Sequence, residues 1–415
     1  MPIPYTAASV KDEMIARLQA KQVDEALQLF TSHHTEVEKA ICEYDPTQHK
    51  VMTRRDIYPK GGEPIRREKL PRTRQRYINE VELFFLLGNP VEWTKLDGSE
   101  EAFTLFTDYL RDIRLDGLLR QCKRLAGAET ECALMFLPYG KDGRLDFHRF
   151  VVARSLGYDL RTLFDQYGNL LAIAYGYALD EGGNAPVLHW DIHTAEQIIL
   201  VRRTESGWQI QSFANPAGKI LGVYFRQPKA WDGVEHRLDR EEDLDSKVGD
   251  ENNYFANPIA AVSADVVDSM VHGESVAKMI QLAGPSSRFE YINPPTSSET
   301  RRDEMQSLER SILFDTFTPD LSFESLKGWG TVSGAAIRNS MTLGYIKRSC
   351  RIELYGPLVD RLKNVILAIL RQLHPERAQQ LEGLKIGFRF AEPFAAEAPL
   401  PEKEEVSPIP VVGFY

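Results

Sequence analysis

Thr318-Pro-Asp-Leu-Ser-Phe-Glu-Ser-Leu-Lys-Gly-Trp-Gly-Thr-Val-Ser-Gly-Ala-Ala-Ile337 is a Gly-rich loop set between two segments that both read as helix. A loop of that length inside a compact fold is as a rule functional. Upstream, Met305, Leu308 and Ile312 recur at spacings of three and four, while Arg301, Arg302, Asp303, Glu304, Glu309 and Arg310 occupy the other faces. This pattern predicts an amphipathic helix over 298–315. Its start is signalled by Pro294-Pro295 and by Thr296 with Glu299 three residues on, the capping-box arrangement. Downstream, an apolar face runs from Ala335 to Leu373 through Ile337, Met341, Cys350, Leu354, Leu358, Leu362, Val365 and Ile369. Helical throughout, that segment would span roughly 58 Å. Gly356-Pro357 predicts a kink in it, because proline removes an amide donor and crowds the preceding turn.

With 415 residues, 43% of them hydrophobic, the chain can bury sizeable cores and form two or three structural units of mixed helix and strand. The formal charge of −10 argues against a protein that coats nucleic acid by counterion release, so any DNA contact is local or weak. Cys42, Cys122, Cys132 and Cys350 lack metal-ligand or disulfide-framework spacing and read as reduced thiols. No N-terminal basic-then-apolar signal and no 18-residue apolar window occur, which disfavours secretion and membrane spanning and predicts assembly in a cytoplasm.

Charge is unevenly distributed. Residues 8–32 read as an amphipathic helix or helix pair and 35–44 as a second helix, after which the chain turns basic. Between 50 and 76, Arg54, Arg55, Lys60, Arg66, Arg67, Lys69, Arg72, Arg74 and Arg76 meet only Asp56, Glu63 and Glu68, and Gly61-Gly62 and Pro71 make this a loop or extended arm. Such an arm either touches DNA phosphates or docks on an acidic neighbouring subunit. From 151 to 226, β-rich runs at 170–177, 187–192, 197–202, 208–213 and 222–226, separated by Gly- and Asn-rich turns, predict an antiparallel meander. Next comes the most acidic stretch, 234–251, whose Val234, Leu238, Leu244, Val248 and Phe255 fall on one helical arc. After Asn257-Pro-Ile, strand-like runs at 277–282 and 288–292 follow, and 384–390 reads as a last strand before a Pro- and Glu-rich tail.

The opening motif, Pro319-Asp-Leu-Ser-Phe-Glu with its Gly-rich loop and then Val332-Ser-Gly-Ala-Ala-Ile-Arg and a long helix, resembles the portal proteins of tailed bacteriophages, in the branch found in many long-tailed phages. Two further segments are similar to that family: Arg76-Tyr-Ile-Asn-Glu-Val-Glu-Leu-Phe-Phe-Leu-Leu-Gly-Asn-Pro-Val-Glu-Trp93, a helix that Gly88 and Pro90 end, and 115–147, a helix followed by a hairpin around Gly140-Lys-Asp-Gly143. The resemblance covers about residues 75 to 395 and rests on the order of the motifs.

It implies an α+β portal fold: an outer α/β wing (1–233), a first stem helix (234–256), a small α+β clip (257–296), a second stem helix (297–316), a tunnel loop (317–334), a long kinked helix (335–374) and a C-terminal wing strand and tail (375–415), with a crown minimal or absent. The implied function is a ring of about twelve copies at one capsid vertex of the virion, the head-tail connector through which double-stranded DNA enters during genome packaging and leaves at ejection. Implied partners are major capsid protein, scaffold, the terminase large subunit and a head-tail adaptor, with no membrane and no cofactor. Lys327, Gly328, Trp329, Gly330 and Ser333 would form the DNA-contacting part of the loop. Glu235, Asp239, Glu242 and Asp243 would line the channel as a negative wall along which a duplex slides without sticking.

Catalytic signatures are missing. His189 and His193 flank Trp190 in a strand-like run where four-residue spacing does not converge on a metal. Gly328-Trp-Gly330 lacks the Gly-Lys-Ser/Thr of a P-loop. The carboxylates at 241–245 lack EF-hand spacing. A conduit rather than an enzyme is expected. The rival readings are a structural adaptor or minor capsid protein that does not encircle DNA, and a Mg²⁺-dependent nuclease.

Overall fold

The structure is a computed structural model that describes residues 7–58, 64–141, 144–182, 185–255, 260–262, 289–291, 298–322, 327 and 339–394. It is an α+β protein. The N-terminal segment is a helix pair, α1 (Ala7–Gln19) and α2 (Val23–Gln28), followed by α3 (His34–Tyr44). Lys21, at φ 58, turns the chain between the first two. Helix α4 (Arg74–Leu87) leads through Gly88-Asn-Pro90 into strand β1 (Val91–Asp97), as the motif predicts. Helix α5 (Glu100–Asp112) starts on Ser99, whose Oγ accepts from the amide of Ala102, with Glu100 and Glu101 on the positive end of the dipole. Helix α6 (Leu115–Glu129) ends at Thr130, in the left-handed region at φ 71.

The hairpin after α6 is β2 (Glu131–Lys141) and β3 (Arg144–Val152). Five strands then form a meander in the order β4 (Asp159–Phe164), β5 (Leu170–Leu179), β6 (Val187–His193), β7 (Gln197–Thr204) and β8 (Gly207–Ala214), all antiparallel. The expected fifth meander run, β9 (Gly222–Arg226), instead leaves that sheet and pairs with β2, giving the order β3-β2-β9. Its residues from Gly222 to Phe225 are all buried, so a solvated sheet edge is no place for them.

Helices α7 (Glu235–Phe255) and α8 (Ser298–Asp315) follow, then α9 (Thr342–Leu373), the short α10 (Ala378–Glu382) and β12 (Lys385–Phe390), which pairs with β1. Within the 256–297 segment, β10 (Ala260–Val262) pairs with β11 (Phe289–Tyr291). The run at 277–282 and the helix-start signal at 294–296 lie outside the described residues, as does the part of the long helix before Asn339. Helix α9 continues through Pro357 without interruption.

The main core joins α4, α5, α6 and α9 to the β3-β2-β9 sheet, through Phe85's neighbours Leu86 and Leu87, Phe106, Leu119, Leu134, Phe225, Leu362 and Ile366. Helices α4 and α9 meet at Gly344, where a Cβ would stand 2.3 Å from the Phe85 ring, so glycine is what permits the approach. Helices α1 and α2 cover one face of the meander through Met14, Leu18, Phe30, Trp190 and Ile192. A smaller cluster of Ile78, Ala230, Trp231, Val234, Leu238 and Ile312 fixes the base of the α7–α8 pair to α4.

Candidate functional site

Helices α7 and α8 run antiparallel. Arg237 near the start of α7 pairs with Asp315 at the end of α8, Arg240 reaches Glu304 at 2.9 Å, and Arg301 at the start of α8 pairs with Glu251 near the end of α7. The acidic stretch folds as predicted into a helix with Val234, Leu238 and Leu244 buried.

The basic arm lies along this helix, within the same chain. Backbone amides of Glu68, Leu70 and Arg72 donate to Asp250 Oδ1 (2.6 Å), Ser246 Oγ (2.9 Å) and Glu242 Oε1 (2.8 Å). Donors spaced two apart have the period of an extended chain, and acceptors spaced four apart stack on one helix face. Arginine side chains add to this ladder. Arg72 Nη1 and Arg74 Nη2 donate to Glu241 Oε1 at 2.8 and 3.0 Å, Arg72 Nε to Asp245 at 2.9 Å, and Arg54 Nη2 to Asp250 at 2.9 Å. Arg74 also reaches Glu309 of α8 at 2.5 Å, tying arm and both helices together. Gly249 lies under the arm: a Cβ there would stand 3.0 Å from Glu68 Cγ and 3.2 Å from its Cβ. The acidic partner left open by the sequence is therefore this chain's own α7.

His49 completes the contact, its Nδ1 lying 2.6 Å from Glu242 Oε1 with both side chains buried. Burial works against the imidazolium, but the hydrogen bond and charge of Glu242 outweigh it and raise the His49 pKa above the ordinary value.

Of the four carboxylates expected on a channel wall, this geometry places Glu242 elsewhere. Glu242 is buried, with His49 and the Arg72 amide on its carboxylate, because the acidic face of α7 is what binds the arm. Glu235 pairs with Lys229 at 2.6 Å, Asp239 lies 3.6 Å from Lys50, and Asp243 lies 2.7 Å from Lys247 and 3.4 Å from Arg240. What α7 presents outward is a mixed-charge surface rather than a bare negative one. Of the predicted loop residues, Lys327 is described and exposed, whereas Gly328, Trp329, Gly330 and Ser333 lie outside the described residues.

The start of the loop is held from α4. Tyr77 Oη donates to the Pro319 carbonyl and accepts from the Leu321 amide, both at 2.8 Å. One turn further along α4, Glu82 is buried among Lys123 of α6 (2.7 Å), Lys347 of α9 (3.2 Å) and Arg351 of α9 (2.8 Å). Burial disfavours the Glu82 carboxylate, yet the three cations overcome it and hold its pKa far below the carboxylate range. At the lysines burial wins, since three cations share one anion: Lys123 is lowered, and Lys347 falls to about 8. Lys347 Nζ also lies 3.5 Å from both the Ala230 carbonyl and Thr318 Oγ1, so one ammonium touches the entry to α7 and the exit from α8. Glu82 is not among the site residues expected from the sequence. The available signal was one acidic residue at a core-facing register of α4, four after Ile78 and four before Leu86.

Among the described residues, no group of three or more His, Cys, Asp or Glu side chains could hold a metal, and no helix is long and apolar enough to cross a membrane.

No family model and no curated protein matches the chain. Several solved structures are similar to it at low identity. The neck of a native GTA particle computed with C12 symmetry matches at 12% identity and a TM-score of 0.39, covering 76% of this chain and 81% of that one. The neck of an empty GTA particle computed with C6 symmetry gives 11% and 0.42, covering 75% and 79%. The virion of a native gene transfer agent particle gives 11% and 0.40, covering 86% and 88%. Scores of this size do not establish a shared fold.

Proposed function

We propose that this chain is the subunit of a phage-type portal: a homo-oligomeric ring at one vertex of a virion capsid, through which double-stranded DNA passes during packaging and ejection. The observation that supports this reading best is the run of elements after β9. A 21-residue helix leaves the smaller cluster at Trp231 and Val234, and a second helix returns to that cluster at Ile312. The loop that follows is gripped by Tyr77 at its start and leads into α9, which re-enters the main core. This run of helices supports the order wing, stem, clip, stem, tunnel loop and long helix expected from the portal proteins that the sequence resembles.

In this reading the α7–α8 pair is the stem, the 256–297 segment is the clip on which terminase and later a head-tail adaptor dock, and the chain performs no catalysis. The arm staples the stem to itself, and Lys347 and Glu82 set the angle at which the stem meets the wing. Duplex passage then relies on a surface of paired charges, with Lys327 and Trp329 as the loop's contacts. Electron microscopy of the purified protein tests the assembly: closed rings with an opening wide enough for a duplex are expected, and monomers, dimers or open filaments at micromolar concentration would sink the reading. Exchanging Lys327 and Trp329 for Ala is expected to leave rings intact while impairing packaging.

A further inference from the structure

We propose that the outer edge of β8 is a pairing site for the β8 of a second copy of this chain, joining two meanders into one continuous sheet about a two-fold axis at Gln211. Strand β8 ends its sheet, with β7 on one side and no strand on the other among the described residues. Natural sheet edges are guarded against such pairing by charge, proline, bulges or shortness. Every other outer strand of five or more described residues carries a charge: Lys95 in β1, Arg149 in β3, Arg161 in β4, Arg226 in β9 and Arg389 in β12. Strand β8 reads Gly-Trp-Gln-Ile-Gln-Ser-Phe-Ala, eight residues in unbroken register with β7, without a charge or a proline.

The backbone fixes which groups are on offer. The Asn215 amide donates to the Glu196 carbonyl at 2.8 Å, one step beyond the pair of Gln197 and Ala214. Hydrogen-bonded and non-hydrogen-bonded pairs alternate along an antiparallel ladder, so Gln209, Gln211 and Phe213 turn their amides and carbonyls to β7. Those of Trp208, Ile210, Ser212 and Ala214 point outward. Donors and acceptors offered at alternate residues of an edge are satisfied by an extended chain that adds as a further strand. Room for its side chains exists beside β8, in a groove of about 620 Å³ lined by Ile15 and Leu18 of α1 and by Trp208 and Ile210.

The strand is complementary to itself. When two copies of β8 meet antiparallel, their outward groups match only where outward residues oppose outward residues. Of the registers that satisfy this, the one with Gln211 opposite Gln211 pairs all of Trp208, Ile210, Ser212 and Ala214. It sets Trp208 against Ala214 and Ile210 against Ser212 on the groove face, a large side chain against a small one each time, and Gln209 against Phe213 on the other face. No charge opposes its like, the clash that bars the same pairing at the charged edges. The contact is isologous. A ring built on one rotation axis contains no two-fold, so this contact joins two rings rather than neighbours within one, and it does not rest on the ring reading.

The test uses the full chain with its exposed native cysteines replaced, Cys42→Ser and Cys350→Ser. In that background Gln211→Cys is expected to give a disulfide-linked dimer with oxidised glutathione, because non-hydrogen-bonded partners stand about 4.5 Å apart at Cα, within disulfide reach. Gln209→Cys, on the same face of the same strand, is expected to stay unlinked, its two copies lying about 13 Å apart. Adding Ser212→Pro, which deletes one outward amide and spares the ladder to β7, is expected to cut the Gln211→Cys dimer about tenfold with the unfolding transition unchanged, whereas Ser212→Ala keeps it. The pairing is overturned by equal linking through Gln209→Cys and Gln211→Cys, by undiminished linking in the Ser212→Pro chain, or by no dimer from either Gln211→Cys or the double variant Gln209→Cys/Phe213→Cys. Linked dimers from a chain that forms no rings would uphold the pairing and sink the ring reading.

Discussion

Glu82 and Glu241 are both buried carboxylates served by arginine, yet they sit in different kinds of construction. Glu82 lies among Lys123, Lys347 and Arg351, which are at most 16% exposed. Glu241 meets Arg72 and Arg74, which keep 30% and 21% of their side-chain surface in water. If Glu82 loses its charge, its three cations stay trapped in the core. If Glu241 does, its arginines can swing outward and rehydrate. The cost of breaking a buried ion pair therefore depends less on the residue removed than on where its partners can go.

That contrast sets the order of effects. Glu82→Gln is expected to lower the stability of the whole main core by ~4 kcal/mol, measured by urea unfolding, since it strands buried cations. A loss no larger than that of a surface change would break the comparison at its strong end. Glu241→Gln is expected to cost about 1–2 kcal/mol and to act locally. Hydrogen exchange should quicken at the Leu70 and Arg72 amides, with core strands β2 and β9 unchanged. Raising salt to about 0.5 M should mimic this change at the arm and leave the Glu82 group untouched, because only partly exposed pairs are screened.

Gly249→Ala sharpens the arm side further. Alanine favours the interior of a helix by about 0.5–1 kcal/mol, but its Cβ would press on Glu68. Faster exchange in the arm with no loss of helix stability is the expected signature; an arm left as protected as before would mean that the contact is loose. The smallest effect concerns pH. Because the His49 pKa is raised on folding, the stability it contributes is fully present below about 6.5, its unfolded value. It is lost as pH rises through the higher folded value. Protection of the Arg72 amide should therefore decline on passing from acid to mildly alkaline buffer, and His49→Gln should flatten that dependence.

Much of this architecture is legible in the sequence because periodicity and turn chemistry report local structure directly. The helix over 298–315, the four meander strands from 170 to 214 and the final strand follow from such patterns, and the hairpin after α6 from the resemblance. Helix α5 and strand β4 are absent from that reading, and the remaining failures are failures of pairing. Strand β9 looks like the next meander strand by adjacency, but the link from Asn215 to Ile220 carries it to the other sheet, where Val223 and Phe225 find a core. The arm and the acidic helix were each evident as charge runs. Their union was not, because it joins residues some 170 positions apart through backbone amides that carry no side-chain signature. Glu82 is not legible in the sequence because a lone charge in an apolar run takes its meaning from Lys123 and Lys347, which only the fold brings to it.

The ladder between arm and helix also works as a vernier. Two residues of extended chain advance about 6.6 Å, whereas four residues of helix advance about 6.0 Å. Each rung therefore slips by roughly 0.6 Å against the next, and a few rungs exhaust what a hydrogen bond tolerates. Three amides, those of Glu68, Leu70 and Arg72, are matched before the scales drift apart. The seam carries its own ruler: a residue inserted within 68–72 would throw alternate amides to the far side, while added length at the tip would leave the graduations aligned.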